Sequence, residues 1–302
     1  MPTQTNVPTH LTVGVKSGFL SAPKPKTINW QRVAMQHNMT AGAETLVDLG
    51  ATPMPVEDKG GPVIQDFIER TMPIKPINWA LTLFISYNTV KDDQSGGTLL
   101  AAARGRDAMS NFQRHINNRV FAVLNAGDGT TYGLAYDGQE FFDSDHKDKG
   151  AKYTTDQDNE NALALSLDNF ETVYVSAQSF KDDQGEELDY MYDLLVVPPA
   201  LVRTAAQIVG NPQAYDTANR EVNPYSDKLD YIVSPKLDTT AWHLIASSER
   251  IKPLIVVMRE QPGLQHSWFD PTAAEGGRYY FKFFGRYDVV YGYWPLAVQG
   301  NT

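Results

Sequence analysis

The most regular apolar pattern in the chain lies between Thr98 and Asn125. Met109, Phe112, Ile116, Val120 and Val123 recur at spacings of three and four, which puts them on one stripe of a helix. Arg104, Arg106, Arg114 and Arg119 take the other faces. The 98–125 segment therefore predicts a helix roughly 40 Å long at 1.5 Å per residue. Gly96-Gly97 precedes it, Ser95 or Thr98 can cap it, and Gly127 and Gly129 end it.

Period-two alternation marks the strands. Residues 63–72 and 77–88 alternate, the second through Trp79, Leu81, Leu83, Ile85 and Tyr87, with Pro73 and Pro76 at the connection. This predicts a long two-stranded hairpin over 61–95 with Lys75 at its tip. A lone hairpin is marginal in water, so its apolar residues need a partner surface. Residues 192–199 predict a buried strand running into a helix that Pro199 starts and Gly210 stops. Further strands are expected at 228–234, 241–246 and 253–258, and a helix at 166–180. The aromatic run 278–298 predicts one long strand broken near Gly285. Pro2, Pro8, Pro23 and Pro25 predict an extended arm over the first 27 residues, and a short helical pattern with polar breaks follows over 28–49. Pro53 and Pro55 then extend the chain again.

Composition narrows the function. At 302 residues and 42% hydrophobic content the chain can bury a sizeable core. A net charge of −10 disfavours a dedicated nucleic-acid binder. The absence of cysteine excludes disulfides, thiolate metal sites and cysteine nucleophiles. No run of ~20 apolar residues predicts a membrane span. With no basic-then-apolar leader, the expectation is a protein made and kept in a cytoplasm.

Catalytic signatures are few. There is no HExxH, nucleophile elbow or P-loop. The string Asp143-Ser144-Asp145-His146 could offer ligands to a divalent ion, but sequence neighbours rarely converge, and a structural loop is the favoured reading. The acidic stretches at 92–93, 143–148 and 182–187 read as solvated turns. The helix arginines fit ion pairing between subunits better than DNA contact in an acidic protein. The aromatic run could stack bases, but alternation sends half of it to each face, favouring a core and an interface. No catalytic residue, cofactor or metal is expected.

Four strings in order carry a resemblance: FAVLNAGDGTTYGLAYDGQEFFDSDH (121–146), DLLVVPPALVRTAAQIV (193–209), WHLIASSERIKPLIVVMRE (242–260) and FGRYDVVYGYWPLAVQG (284–300). Together they resemble the Mu-like phage major head subunit family, over about residues 28–300. That resemblance implies an α+β chain with the Hong Kong 97-type capsid fold: an N-terminal arm (1–60), an E-loop hairpin (61–95), a spine helix and peripheral domain (96–165), an axial domain (166–265), and a C-terminal strand returning to the peripheral domain (266–302).

The function so implied is that of a major capsid protein of a tailed bacteriophage. Its copies would form pentamers and hexamers of an icosahedral virion shell, assembled in the host cytoplasm around double-stranded DNA without sequence-specific binding or a membrane. Unlike the Hong Kong 97 prototype, the sequence leaves no room for a helical scaffolding segment before the hairpin. The resemblance therefore implies a separate scaffolding protein and maturation protease, besides a portal protein and, in some relatives, a decoration protein. Lys75 would be available for a cross-link of the prototype's lysine–asparagine kind. The inter-subunit contacts expected are Phe67, Ile68, Lys75, Trp79, Leu81, Phe84 and Ile85 on the hairpin, and Arg104, Arg106 and Arg114 on the helix. An encapsulin-like compartment shell is the rival of the same fold; a hydrolase using 143–148 is the rival of another class.

Overall fold

The computed structural model describes residues 7–23, 28–48, 69–147, 153–210, 223–226, 228–273 and 276–301. Its axis is a 28-residue helix. In chain order the helices are α1 (Thr9–Leu20), α2 (Tyr87–Asp92), α3 (Thr98–Asn125), α4 (Leu167–Gln178) and α5 (Val202–Gly210). The strands are β1 (Ala34–Asn38), β2 (Glu44–Asp48), β3 (Arg70–Ile74), β4 (Ile77–Ser86), β5 (Glu160–Asn161), β6 (Leu194–Val197), β7 (Asp230–Val233), β8 (Trp242–Ile245), β9 (Leu254–Asp270), β10 (Arg278–Tyr291) and β11 (Ala297–Gly300). They form a four-stranded sheet β1-β9-β10-β4, a five-stranded sheet β5-β11-β8-β6-β7 and a two-stranded sheet β2-β3.

The apolar stripe predicted on α3 is its buried face: Phe112, Ile116, Val120 and Val123 are all buried. They cover one side of β10, where Tyr279, Phe281, Phe283, Tyr287, Val289 and Tyr291 are buried in strict alternation with half-exposed neighbours. Period two on the strand and 3.6 on the helix thus meet at one interface. In the five-stranded sheet β6, β8 and β11 are buried at every position, the pattern of strands covered on both faces.

The first departure from expectation is α1. Residues 9–20 form a helix, not an extended arm. Pro8 stands just outside it, where its carbonyl accepts from Leu11 and Thr12 N–H. Gly14 and Gly18 weaken the helix signal in sequence, yet they are what docks it. A Cβ on Gly18 would sit 1.9 Å from the Ala102 carbonyl oxygen, and one on Gly105 would sit 2.1 Å from that of Val15. Gly14 meets Thr98 as Gly18 meets Ala102, so the two helices run in the same direction at backbone contact. Tertiary packing overrides local propensity here.

The second departure is the hairpin. β3 and β4 follow one another across Lys75-Pro76 but do not pair. β3 pairs antiparallel with β2, from Glu44↔Ile74 to Asp48↔Arg70, and β4 pairs with β10 along ten residues, from Ile77↔Tyr287 to Ser86↔Arg278. The two-stranded hairpin therefore comprises 44–48 and 70–74, not 63–72 and 77–88. Lys75 lies beside Ile74, at the end of the ladder opposite the 49–69 connection, and is not a tip residue. Pro73 lacks a donor and is tolerated because, among the described residues, β3 pairs only with β2. The expected strand segment 63–68, with Phe67 and Ile68, lies outside the described residues. The helical pattern expected within 28–49 resolves into a single 3-10 turn, Trp30–Arg32, and then β1 and β2.

The third concerns the C-terminal run. β10 continues through Gly285, where Pro262 of β9 comes within 3.1 Å of a would-be Cβ, and the break falls later, at the 3-10 turn Trp294–Leu296. β9 reaches Asp270, far beyond the expected 253–258.

Candidate assembly surfaces

The β2–β3 hairpin stands on the four-stranded sheet through a small apolar cluster of its own. Leu46, Met72 and Ile74 pack with Met35, Met39, Ile255, Val257 and Val290. Its end beside the 49–69 connection is held by charge as well. Arg70, buried, lies 3.5 Å from the fully buried Asp183 carboxylate, with its guanidinium 4.8 Å from the Tyr136 ring and 5.6 Å from that of Tyr293. A buried, paired arginine stacked on aromatic rings fixes direction well, because its fork is planar and always charged. At the other end Glu44 closes the turn from β1, accepting from Ala41 N–H at 2.7 Å and Thr40 Oγ1 at 2.8 Å, beside His37 Nε2 at 3.2 Å. These hydrogen bonds, the Ala41 N–H first, lower its carboxyl pKa to about 2. Beside the hairpin an apolar recess of about 200 Å³ is lined by Leu46, Val47, Met72, Ile251 and Ile255, and Val47 and Ile251 are themselves exposed.

The expected contact residues fall into different environments. Ile85 is a core residue, 3% exposed, because it shares the inward face of β4 with the chain's main cluster; it has no surface to offer a neighbour. Trp79 and Leu81 are half-buried against α3. The Trp79 ring lies 4.3 Å from His115, and its Nε1 donates to the Tyr287 carbonyl at 2.9 Å. Burial, first, and the nearby Arg119 lower the His115 pKa. Phe84 points the other way and is 46% exposed. Arg104, Arg106 and Arg114 are exposed on α3, with Arg104 3.9 Å from Asp107. Arg119 is spent within the subunit, donating twice to Asp288 at 3.1 and 3.0 Å and lying 4.5 Å from the Tyr132 ring.

Sequence reasoning missed the open face of the four-stranded sheet as a unit. Along β10, cations and aromatics alternate at every second position: Arg278, Tyr280, Lys282, Phe284, Arg286. Tyr280 joins Phe84 and Trp268 in a row across three strands. Trp268 and Tyr280 stack face to face at 5.0 Å with planes 11° apart, and the Arg278 guanidinium lies 4.3 Å from the Phe84 ring. Rings that stack on each other across adjacent strands cover their own faces, so they do not form a platform for bases. The signal was available in RYYFKFFGR once period two was applied to charge as well as to apolarity.

The Asp143–His146 string proves to be a tie within the chain. His146 Nδ1 donates to the Asp137 carboxylate at 2.6 Å, both side chains being buried, and its ring stacks on Trp294 at 4.2 Å. Asp145 accepts from Gln139 at 2.7 Å. Among the described residues no three metal-ligating side chains converge.

A family model for phage capsid proteins matches residues 69–292. No curated protein matches. Among solved structures, the capsid of bacteriophage JBD30 is similar at 22% identity, TM-score 0.59, over 78% of this chain and 100% of that one. The capsid of cyanophage P-SCSP1u gives 12%, 0.57, 93% and 89%, and that of an empty GTA particle gives 12%, 0.57, 96% and 98%.

Proposed function

This chain belongs to the phage capsid protein family, and from that premise we propose that it is the major head subunit of a tailed phage, whose copies close into an icosahedral shell of pentamers and hexamers around double-stranded DNA. The observation that carries this reading is the β2–β3 hairpin. It is clamped, at the end where the 49–69 connection leaves, by the buried Arg70–Asp183 pair, while Val47 stays exposed beside an apolar recess. An isolated subunit gains nothing from an exposed valine held beside an open apolar recess, whereas a neighbouring subunit can cover both. Each contact can be modest, because a closed shell repeats it many times. The role is structural, not catalytic.

The finer reading is a Mu-like subunit that assembles with a separate scaffolding protein and maturation protease, joined to a portal protein and, where present, a decoration protein. Trp79, Leu81, Phe84, Arg104, Arg106 and Arg114 remain its candidate contacts, with Lys75 after β3 and with Phe67 and Ile68, which lie outside the described residues. Electron microscopy of the purified protein, alone and with a candidate scaffold, tests both levels. Closed shells or rings of five and six are expected, with regular size only in the presence of scaffold. A persistent monomer in every condition would remove the reading.

A further inference from the structure

Two contacts of different kinds join the β2–β3 hairpin to the rest of the subunit. One is its cluster on the four-stranded sheet, in which Met35, Met39 and Met72 pack with Leu46, Ile74, Ile255 and Val257. Methionine is unbranched and adaptable, so such a cluster holds the hairpin without choosing one angle for it. The other contact is Arg70 of β3, which pairs with Asp183 in the 181–187 turn between α4 and β6.

That turn is built to present one carboxylate. The stretch 182–187 is expected to be solvated, yet Asp183 is 2% exposed. Asp182 accepts from the backbone N–H groups of Gln184, Gly185 and Glu186 at 2.8, 2.9 and 3.0 Å, and Gly185 takes the positive φ of 96° that the turn requires. Gln157 fixes the start of the turn from both sides, donating to the Lys181 carbonyl at 3.0 Å and accepting from the Lys181 N–H at 2.7 Å. Gln184 Nε2 donates to one Asp183 oxygen at 3.1 Å, and the other faces Arg70. The Tyr136 and Tyr293 rings flank the guanidinium.

Adhesion alone does not explain this construction. Taking two charges out of water costs about as much as their attraction returns, and a well-packed apolar pair would join the same elements as firmly. A paired, planar guanidinium supplies geometry as well: fork, carboxylate and rings are satisfied together at one angle and not at its neighbours.

We propose that Arg70 is a positioning residue for assembly. Locked on Asp183, it sets the angle of the hairpin on the subunit, and through that angle the inclination of one copy to the next and the curvature of the shell. The curvature rests on the shell reading above; the lock concerns the subunit alone.

Because the chain has no cysteine, two spin labels can be placed without background. Thr45 on the hairpin and Glu186 on the turn are both exposed, and labels on Thr45→Cys and Glu186→Cys report the hairpin angle as a distance by pulsed electron resonance. Isolated full-length subunits should give one narrow distance. Arg70→Met with Asp183→Leu removes both charges and keeps apolar volume, so melting should stay the same or rise, while the narrow peak is lost to a broad distribution. Without labels, the same double variant should close shells of mixed diameter, or none, under conditions in which the wild type gives one size. A narrow distance retained in the double variant would overturn the lock. A broad distance with shells of uniform wild-type diameter would overturn its link to curvature. No particles from the wild type would overturn the shell reading, and the label distances would still decide the lock. Should the double variant melt early, Arg70→Lys decides instead: it keeps the charge without the planar fork, and a distance as narrow as in the wild type counts against the proposal.

Discussion

The two large sheets have solved the problem of burial differently. In the five-stranded sheet, every residue of β6, β8 and β11 is buried, and the strand β7 begins at Asp230, which pairs with Arg32. In the four-stranded sheet, β10 buries only alternate residues, an aromatic and cationic row lies on the open face, and among the described residues no strand pairs with the outer side of β4. The first sheet is complete as a folded unit. The second is complete only on the side that α3 and α1 cover. A subunit that must both fold alone and assemble can divide those tasks, with stability concentrated in one sheet and association in the other. Mutations should then separate: severe for folding in the first, mild for folding and severe for assembly in the second.

The largest effect is expected at Trp242. Its indole is fully buried, donates to the Leu163 carbonyl at 2.9 Å, and lies so close to Gly300 that a Cβ there would fall 2.2 Å from the ring. Trp242→Ala leaves a cavity and an unmatched carbonyl, and should cost about 3–5 kcal/mol of subunit stability. Denaturant titration of the isolated subunit measures it. A loss under about 1 kcal/mol, small beside the usual cost of such a truncation, would mean that this sheet is not the stable half.

Of that sheet, β6, β7 and β8 were legible in advance, while β5 and β11 were not. LLVV and the helix after Pro199 announce themselves by apolar continuity and by proline and glycine punctuation, and α3 by its stripe. The other half was legible only in parts. α1 was hidden because Gly14 and Gly18 are poor helix formers whose value appears only when Ala102 is brought against them. The hairpin was misassigned because two adjacent alternating segments look like mutual partners. Their actual partners, β2 and β10, come from distant parts of the chain, and alternation specifies a face without naming the neighbour. The contact residues were partly misread for the same reason: Ile85 and Phe84 are consecutive, so they face opposite ways, and one is core while the other is surface.

A second effect uses acid. His243, on β8, is fully buried, and neither ring nitrogen has a hydrogen-bond partner among the described residues. Burial lowers its pKa to about 3, from an ordinary 6.5. The folded state thus disfavours the protonated ring that the unfolded chain accepts. Its contribution is fully present above pH 6.5 and is lost as pH falls toward 3; at pH 4 the loss is roughly 3 kcal/mol. Stability measured from pH 7 to 4 should therefore fall in the wild-type subunit and fall less steeply in His243→Leu. Equal slopes in the two would place the acid sensitivity elsewhere; Glu44, lowered from 4.5 to about 2, begins to lose its own contribution only as pH falls below its ordinary 4.5.

The smallest effect on folding should come from the open face. Phe84 is 46% exposed, lies under the Arg278 guanidinium and stands 6.1 Å from Tyr280. Truncating it removes a partly solvated ring and one cation–π contact, which at such a site is worth about 0.5–1 kcal/mol. Phe84→Ala should accordingly leave the subunit's denaturation midpoint nearly unchanged. On the proposed contact its consequence belongs to association, because an aromatic anchor covered by a neighbour is among the most costly residues to lose at an interface. Light scattering during assembly and denaturant titration of the subunit, made on the same preparation, give the two numbers whose ratio matters. Slow or absent assembly with normal subunit stability is the expected pair. If instead stability fell by as much as in Trp242→Ala, the open face would be part of the core, and the division of labour between the two sheets would not hold.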